Sequence, residues 1–139
     1  MMAYVIGVAN KAQVGIARQG GFVAFSHGRE AAVRRLAAGD RVIYYAPRSD
    51  FDGDPVQAFV ALAEVTGDAA HERPFGDHGL GWVRDARFEP VTEAPVRPLL
   101  DRLSFVRDKS RWGMAFRQGK FAIGAADYRL IAEAMEAAP

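Results

Sequence analysis

Cysteine is absent from the 139 residues. That excludes disulfides, thiolate zinc sites and cysteine nucleophiles, and it fits a reducing compartment. A cytoplasmic location is the expectation. No run of eighteen apolar residues occurs, so no helical membrane span is expected. The opening Met1-Met2-Ala3-Tyr4 lacks the basic segment and long apolar stretch of a signal peptide. No glycine–lysine–Ser/Thr combination exists, which removes a Walker loop. Gly79-Leu80-Gly81 lacks the third glycine of a dinucleotide fingerprint. In Asp50-Phe51-Asp52-Gly53-Asp54 the glycine is misplaced for a calcium loop, Pro55 intrudes, and the twelfth position is Ala61 instead of Glu. His71 and His78 have no third ligand in sight, so neither a metal nor any other cofactor is expected.

What is present suits one domain spanning residues 1–139. Half of the side chains are hydrophobic, and a chain of this size buries roughly two thirds of its unfolded surface. The net charge of +1 hides an uneven distribution. Residues 1–36 carry five basic and one acidic side chain, residues 50–93 three basic and ten acidic, and residues 97–120 seven basic and two acidic. If the two basic segments meet in space they form a positive face; otherwise the charges are dispersed on solvated surfaces.

The chain is organised around Gly39-Asp40-Arg41-Val42-Ile43-Tyr44-Tyr45-Ala46-Pro47. A turn pair opens it, residues of high strand preference fill it, and Pro47 ends pairing by removing a backbone donor. Successive strand residues face opposite sides, so Tyr44 and Tyr45 cannot share a face. Before it, residues 4–9 read as a buried strand. Asn10 is a plausible N-cap for a helix over 11–18, residues 22–26 are a second strand, and 29–38 a second helix ending at Gly39. After it come an apolar strand over 57–66, an irregular stretch over 69–81 and an alternating strand over 82–88. That strand places Trp82, Arg84, Ala86 and Phe88 on one face and Val83, Asp85 and Arg87 on the other. A short helix is expected over 99–103, a strand over 121–123 and a last helix carrying Tyr128, Ile131, Ala132 and Met135. Five or six strands with short helices between them make an α+β pattern around a small curled sheet.

The remaining chemistry is aromatic and basic interleaving. Trp82 lies near Arg84 on one strand, and Trp112, Phe116 and Arg117 share one segment. Rings beside cations suit a nucleobase that stacks while its phosphate meets Arg or Lys, each stacked base contributing roughly 1–3 kcal/mol. Equally ordinary explanations are tryptophan in the core and arginine in solvent.

The order of several segments resembles the EVE domain, a PUA-like fold similar to YTH domains. The matching pieces are Tyr4-Val5-Ile6-Gly7-Val8-Ala9, Gly21-Phe22 with His27-Gly28, Gly39-Asp40 with Tyr44-Tyr45-Ala46-Pro47, and Gln57-Ala58-Phe59. They continue with Arg84-Asp85-Ala86-Arg87-Phe88, Pro98-Leu99-Leu100-Asp101, Leu103-Ser104-Phe105, and Lys109 with Arg111-Trp112-Gly113, Phe116-Arg117 and Gly119. The resemblance spans nearly the whole chain. It implies a mixed β-barrel of five to six strands flanked by short helices, and a binding pocket for a modified base, notably modified cytosine.

Carried over by position, the resemblance implies pocket walls from Ala9, Asn10 and Gln13, from Phe22, Ser26 and His27, and from Tyr45 and Pro47, closed by Trp82 and Arg84. Lys109 and Arg117 would meet phosphates, while Trp112 and Phe116 belong either to the pocket or to the core. YTH domains place a tryptophan after the second glycine turn where this chain has Phe22-Val23-Ala24-Phe25, so methyladenine-style caging is not implied. The implied partner is nucleic acid carrying a modified base, DNA favoured over RNA, with no membrane and with a restriction-type nuclease as a functional associate.

A non-catalytic binding module is therefore favoured. Two alternatives are a small nucleobase-processing enzyme or hydrolase using His27, and a protein-interaction module using the acidic loop 50–54. Ser26 and His27 are sequence neighbours, which rarely form a nucleophile–base pair, and no base–orienter pair is evident.

Overall fold

The computed structural model describes residues 2–25, 28–74 and 79–138. The expected positions Ser26 and His27 lie outside the described residues. The first strand, β1 (Tyr4–Val8), pairs in parallel with β3 (Arg41–Arg48). Parallel neighbours need a crossover, and the chain makes it through α1 (Lys11–Gly20), β2 (Phe22–Val23) and α2 (Glu30–Arg34). Antiparallel pairing then takes over. β4 (Pro55–Val65) pairs β3, β6 (Leu80–Phe88) pairs β4, and β8 (Lys120–Ile123) pairs β1. Two short strands are added, β5 (His71–Pro74) on β6 and β7 (Ala94–Pro95) on β4. The order along the sheet is β2-β6-β4-β3-β1-β8. The fold is α+β with a curled half-barrel sheet and few helices.

The main path carries six strands, within the expected five or six; β5 and β7 are the additions. β5 falls within a stretch expected to be irregular. Its sequence, His-Glu-Arg-Pro, has no apolar alternation, and its pairing is fixed from outside. The His71 ring bonds the Asp85 carboxylate at 2.8 Å, and Arg73 donates to Gly20 O at 2.9 Å.

Curling has a local cause. The β3–β4 register shifts between Tyr44 and Tyr45 and again between Ala46 and Arg48. Such irregularities bend a strand and raise its twist. β3 is buried on both faces. Val42, Tyr44 and Ala46 join an inner cluster with Val23, Phe25, Val33, Val60 and Ala63. Ile43 and Tyr45 join an outer cluster with Phe59, Leu62, Leu103, Phe116, Ile131 and Met135. Each fully buried side chain of this size contributes roughly 1.5–3 kcal/mol.

Several ends differ from expectation for identifiable reasons. Asn10 caps α1 by accepting Gln13 N–H at 2.8 Å, and the helix runs two residues past Arg18 because Gly21, at φ 72°, takes the left-handed stop. β2 ends at Val23 because the next backbone groups, those of Ala24, turn to the Tyr44 hydroxyl. α2 stops at Arg34. Beyond it, Ala37 N–H goes to the Asp40 carboxylate at 2.9 Å and Leu36 O accepts from Arg84. The helix expected over 99–103 is a 3-10 turn at Arg97–Leu99 followed by further turns. A longer 3-10 segment, Lys109–Arg117, breaks helical geometry at Arg111. α3 (Ala125–Ala134) starts at Gly124 without a side-chain cap. It is tied to the preceding loop by buried Asp127, which accepts Ser104 N–H at 3.0 Å and Ser104 Oγ–H at 2.5 Å.

Candidate functional site

A seam on the inner face of the curled sheet runs from β1, past Phe25 and Gly28, to β6. It begins at Gly7. A methyl group built there would lie 2.7 Å from both the Phe25 and Tyr44 rings, so only glycine lets these rings approach the strand. Phe25 and Tyr44 stack with centroids 5.8 Å apart. On β8, opposite Gly7 in register, Lys120 reaches over the Phe25 ring at 5.5 Å and donates to Ala32 O at 2.7 Å. The far side of the seam is β6, where Trp82 N–H donates to Gly28 O at 2.9 Å. Gly28 has φ 81°, and a methyl group built on it would lie 2.8 Å from the Gly81 Cα, a second place where a side chain would not fit.

The predicted site residues take several different settings. Ala9 and Asn10 follow the end of β1 directly, with Ala9 N–H held by Tyr45 O at 3.2 Å. Gln13 is half-buried one turn into α1. Pro47 is half-buried near the end of β3. Trp82 is half-buried against the inner cluster. Among the described residues it has no ring, cation or indole N–H partner. Phe22 lies elsewhere, in a small cluster with Ala17, Ala24 and Val83, and the Arg73 guanidinium sits 5.1 Å over its ring.

Arg84 was expected to edge the pocket; it is instead 2% exposed. Its guanidinium donates to the carbonyls of Val33, Leu36 and Gly67, while its Nε–H has no partner among the described residues. It staples the end of α2 to the turn after β4. Sequence placed it on the inner face, but burial there removes it from solvent phosphates. Lys109 is corrected in the same way. Its ammonium donates to Leu100 O at 2.6 Å, Leu103 O at 3.3 Å and Val106 O at 2.7 Å, using all three protons on backbone carbonyls. Arg117 remains exposed.

Tyr45 and Phe116 are locked in the outer core, stacked at 4.0 Å. Burial pushes the Tyr45 phenol up to about 12, with nearby Arg97 opposing the rise. Trp112 meets Phe116 edge-on at 6.2 Å and carries the Arg97 guanidinium over its ring at 5.3 Å. It is both core and wall, because it also lines a concavity of about 250 Å³ with Phe105, Arg107, Asp108, Arg111 and Met114. A larger concavity of about 520 Å³ lies beside the tilted Tyr4–Tyr128 ring pair and is lined by none of the predicted site residues.

The two basic segments do meet. Lys120 sits near enough to Arg35 for that charge to depress its ammonium pKa, though burial is the larger cause of the depression. Lys120 is the seam residue that sequence reasoning missed. The only signal was its place at the start of a predicted strand, beside Gly119, whose carbonyl accepts Val8 N–H at 3.0 Å. Around the acidic loop, Ser49 N–H bonds Asp54 O and Gly53 N–H bonds Asp50 O, each at 2.9 Å. No cluster of potential metal ligands occurs among the described residues, and none of their helices is long and apolar enough to cross a membrane.

The family model described as the EVE domain matches residues 3–134. A UPF0310 protein of Mesorhizobium japonicum is 42% identical, the alignment covering 99% of this chain and 94% of that protein. A UPF0310 protein of Mycobacterium avium is 37% identical over 84% of this chain and 86% of its own length. Among solved structures, a hypothetical protein from Leishmania major superposes with a TM-score of 0.60 at 16% identity, covering 98% of this chain and 96% of that one. A Pseudomonas putida protein does so with a TM-score of 0.60 at 14% identity, covering 96% and 99%. At such identities the structural likeness speaks for the fold.

Proposed function

Because this chain belongs to the EVE domain family, we propose that it is a nucleic-acid-binding module that receives one modified base, a methylated or hydroxymethylated cytosine, at the seam beside Trp82. The observation that carries this reading is the state of Trp82. Its backbone is fixed by Gly28, and its ring is half-buried without a ring, cation or indole N–H partner among the described residues. An indole with unused stacking and donor capacity suits a base turned out of its helix, and such stacking contributes roughly 1–3 kcal/mol. Phe25 cannot take that role, because Tyr44 stacks on it and Lys120 lies over it.

Around the base, Ala9, Asn10 and Gln13 supply the side where β1 passes into α1. The Asn10 Oδ1 is committed to its cap, so an edge contact from this residue uses the amide nitrogen. Arg117, exposed two residues before Gly119, meets a phosphate. DNA is the favoured partner, and a restriction-type nuclease is the favoured functional associate. The decisive experiment measures binding of otherwise identical oligonucleotides bearing cytosine, 5-methylcytosine or 5-hydroxymethylcytosine at fixed salt. Preference for a modified strand, lost in Trp82→Ala, is the expected result. Equal binding across the panel removes the base-reading proposal.

A further inference from the structure

The concavity of about 250 Å³ at Trp112 shares no lining residue with the seam. Its walls include rings and a thioether: Phe105, half-buried Trp112 and exposed Met114. Arg97 lies over the indole and Phe116 meets it in a T-shaped contact, and Trp112 also lines the opening. Arg107 and Arg111 stand at the rim, both exposed and neither ion-paired among the described residues. Many other cations on this protein are spent: Lys11 on Glu93, Arg34 on Glu30, Arg41 and Arg87 on Glu64 and Glu89, and Lys109 on three carbonyls.

One acid shares the rim. Asp108 accepts Ser110 N–H at 3.0 Å and Ser110 Oγ–H at 2.6 Å, both through Oδ1, and Oδ2 takes part in neither bond. The Ser110 hydroxyl bond is the chief reason its carboxyl is held below the usual range, so it remains an ionised acceptor at neutral pH. A carboxylate repels a phosphate but accepts from an exocyclic amino group, as Asp does towards cytosine N4. An acceptor, two unpaired guanidinium groups and an aromatic wall therefore describe a ligand with an amino-bearing ring at one end and a phosphate at the other.

We propose that this concavity is a second nucleotide subsite. It takes a further nucleotide of the strand whose base is read at the seam, with its phosphate between Arg107 and Arg111, its ring against Trp112 and Met114, and its amino group on Asp108. The subsite deepens the proposed function and rests on it for the identity of the polymer. It predicts that bases with an exocyclic amino group are preferred over thymine or uracil at that position.

The chain has two tryptophans, so each site can be followed alone. In Trp82→Phe the tryptophan emission comes from Trp112 alone. Titration with 2′-deoxycytidine 5′-monophosphate should change its emission saturably, and 2′-deoxyuridine 5′-monophosphate should bind about fivefold more weakly, the effect of one charge-assisted hydrogen bond near solvent. Asp108→Asn keeps a capping oxygen for Ser110 and should erase the preference. Arg107→Ala with Arg111→Ala should weaken both ligands together. An unchanged Trp112 signal, equal affinity for the two nucleotides in the Trp82→Phe protein, or a preference that survives Asp108→Asn overturns the subsite. Trp112→Phe, reporting through Trp82, carries the modified-cytosine panel independently, so failure at the seam and failure here give different signals.

Discussion

The Tyr44 hydroxyl and the Ala24 backbone satisfy one another completely: the phenol donates to Ala24 O at 2.8 Å and accepts Ala24 N–H at 3.1 Å. Both partners are buried. The pair replaces sheet pairing at the point where β2 stops, and it pins the incoming segment across the inner face of β3. From Ala24 the chain passes directly to Phe25, which lies on Gly7, so the geometry of the seam starts at this bond.

Tyr44→Phe leaves a buried N–H and a buried carbonyl without partners. Each orphaned group costs about 1–3 kcal/mol. We expect a loss of about 2–4 kcal/mol, read from urea midpoints at unchanged m-value. A loss below about 0.5 kcal/mol would mean that water or another group takes over the Ala24 groups.

The two tyrosines also contribute to a loss of stability at alkaline pH. Burial raises the Tyr44 phenol beyond the usual range, against the lowering effect of its bond to Ala24. Burial likewise raises Tyr45 to about 12. The folded chain therefore keeps protons that the unfolded chain releases. Stability is full below the ordinary phenol value of 10.0 and is lost as pH rises from there towards about 12. The stability gap between the parent and Tyr45→Phe should shift in favour of the variant between about pH 8 and about pH 11. Parallel curves would show that Tyr45 titrates alike in both states.

Gly7→Ala forces a methyl group to within 2.7 Å of two stacked rings. Both rings are held, Phe25 by Lys120 and Tyr44 by Ala24, so neither can swing away freely. Overpacking of this kind costs about 1–3 kcal/mol. Thermal or urea unfolding should show that loss, together with altered near-ultraviolet circular dichroism from the displaced rings.

Arg84→Met removes donors from three carbonyls and should destabilise the chain by about 2–3 kcal/mol. Because the guanidinium is buried, the variant should leave the salt dependence of nucleic-acid binding unchanged once folding is complete. A shallower salt dependence in folded Arg84→Met would place this residue on phosphate after all.

Lys109 and Arg117 separate in the same manner. Lys109→Met should cost about 1–2 kcal/mol of stability through three lost carbonyl bonds, with no effect on the salt slope. Arg117→Ala should change stability by less than about 0.5 kcal/mol. It should reduce the slope of log K against log salt by about 0.9 on duplex DNA, or about 0.7 on a single strand, for one lost phosphate contact.

Much of the fold was legible because it depends on local preference. The alternation at Tyr44 and Tyr45, the Asn10 cap and the inner face shared by Trp82, Arg84 and Ala86 all follow from strand and helix periods of neighbouring residues. The site was less legible. Arg84 and Lys109 look like free cations in sequence, and nothing in their neighbours announces carbonyls that arrive from 17 to 51 residues away for Arg84 and from 3 to 9 for Lys109. Tyr45 reads as a pocket wall and Trp112 and Phe116 as pocket or core; the stacking of Tyr45 on Phe116 puts both in the outer core, while Trp112 packs on Phe116 and also lines a concavity.

The sequence by itself determined the family, the strand-rich pattern and the uneven placement of charge, because each is a property of residue order and short-range geometry. The tertiary structure alone decided which cations stay free and which rings keep an open face. Both depend on what folding brings against a side chain, from nearby turns at Lys109 and from distant segments at Arg84: a cation or an indole is available for binding only where folding has left it unpartnered.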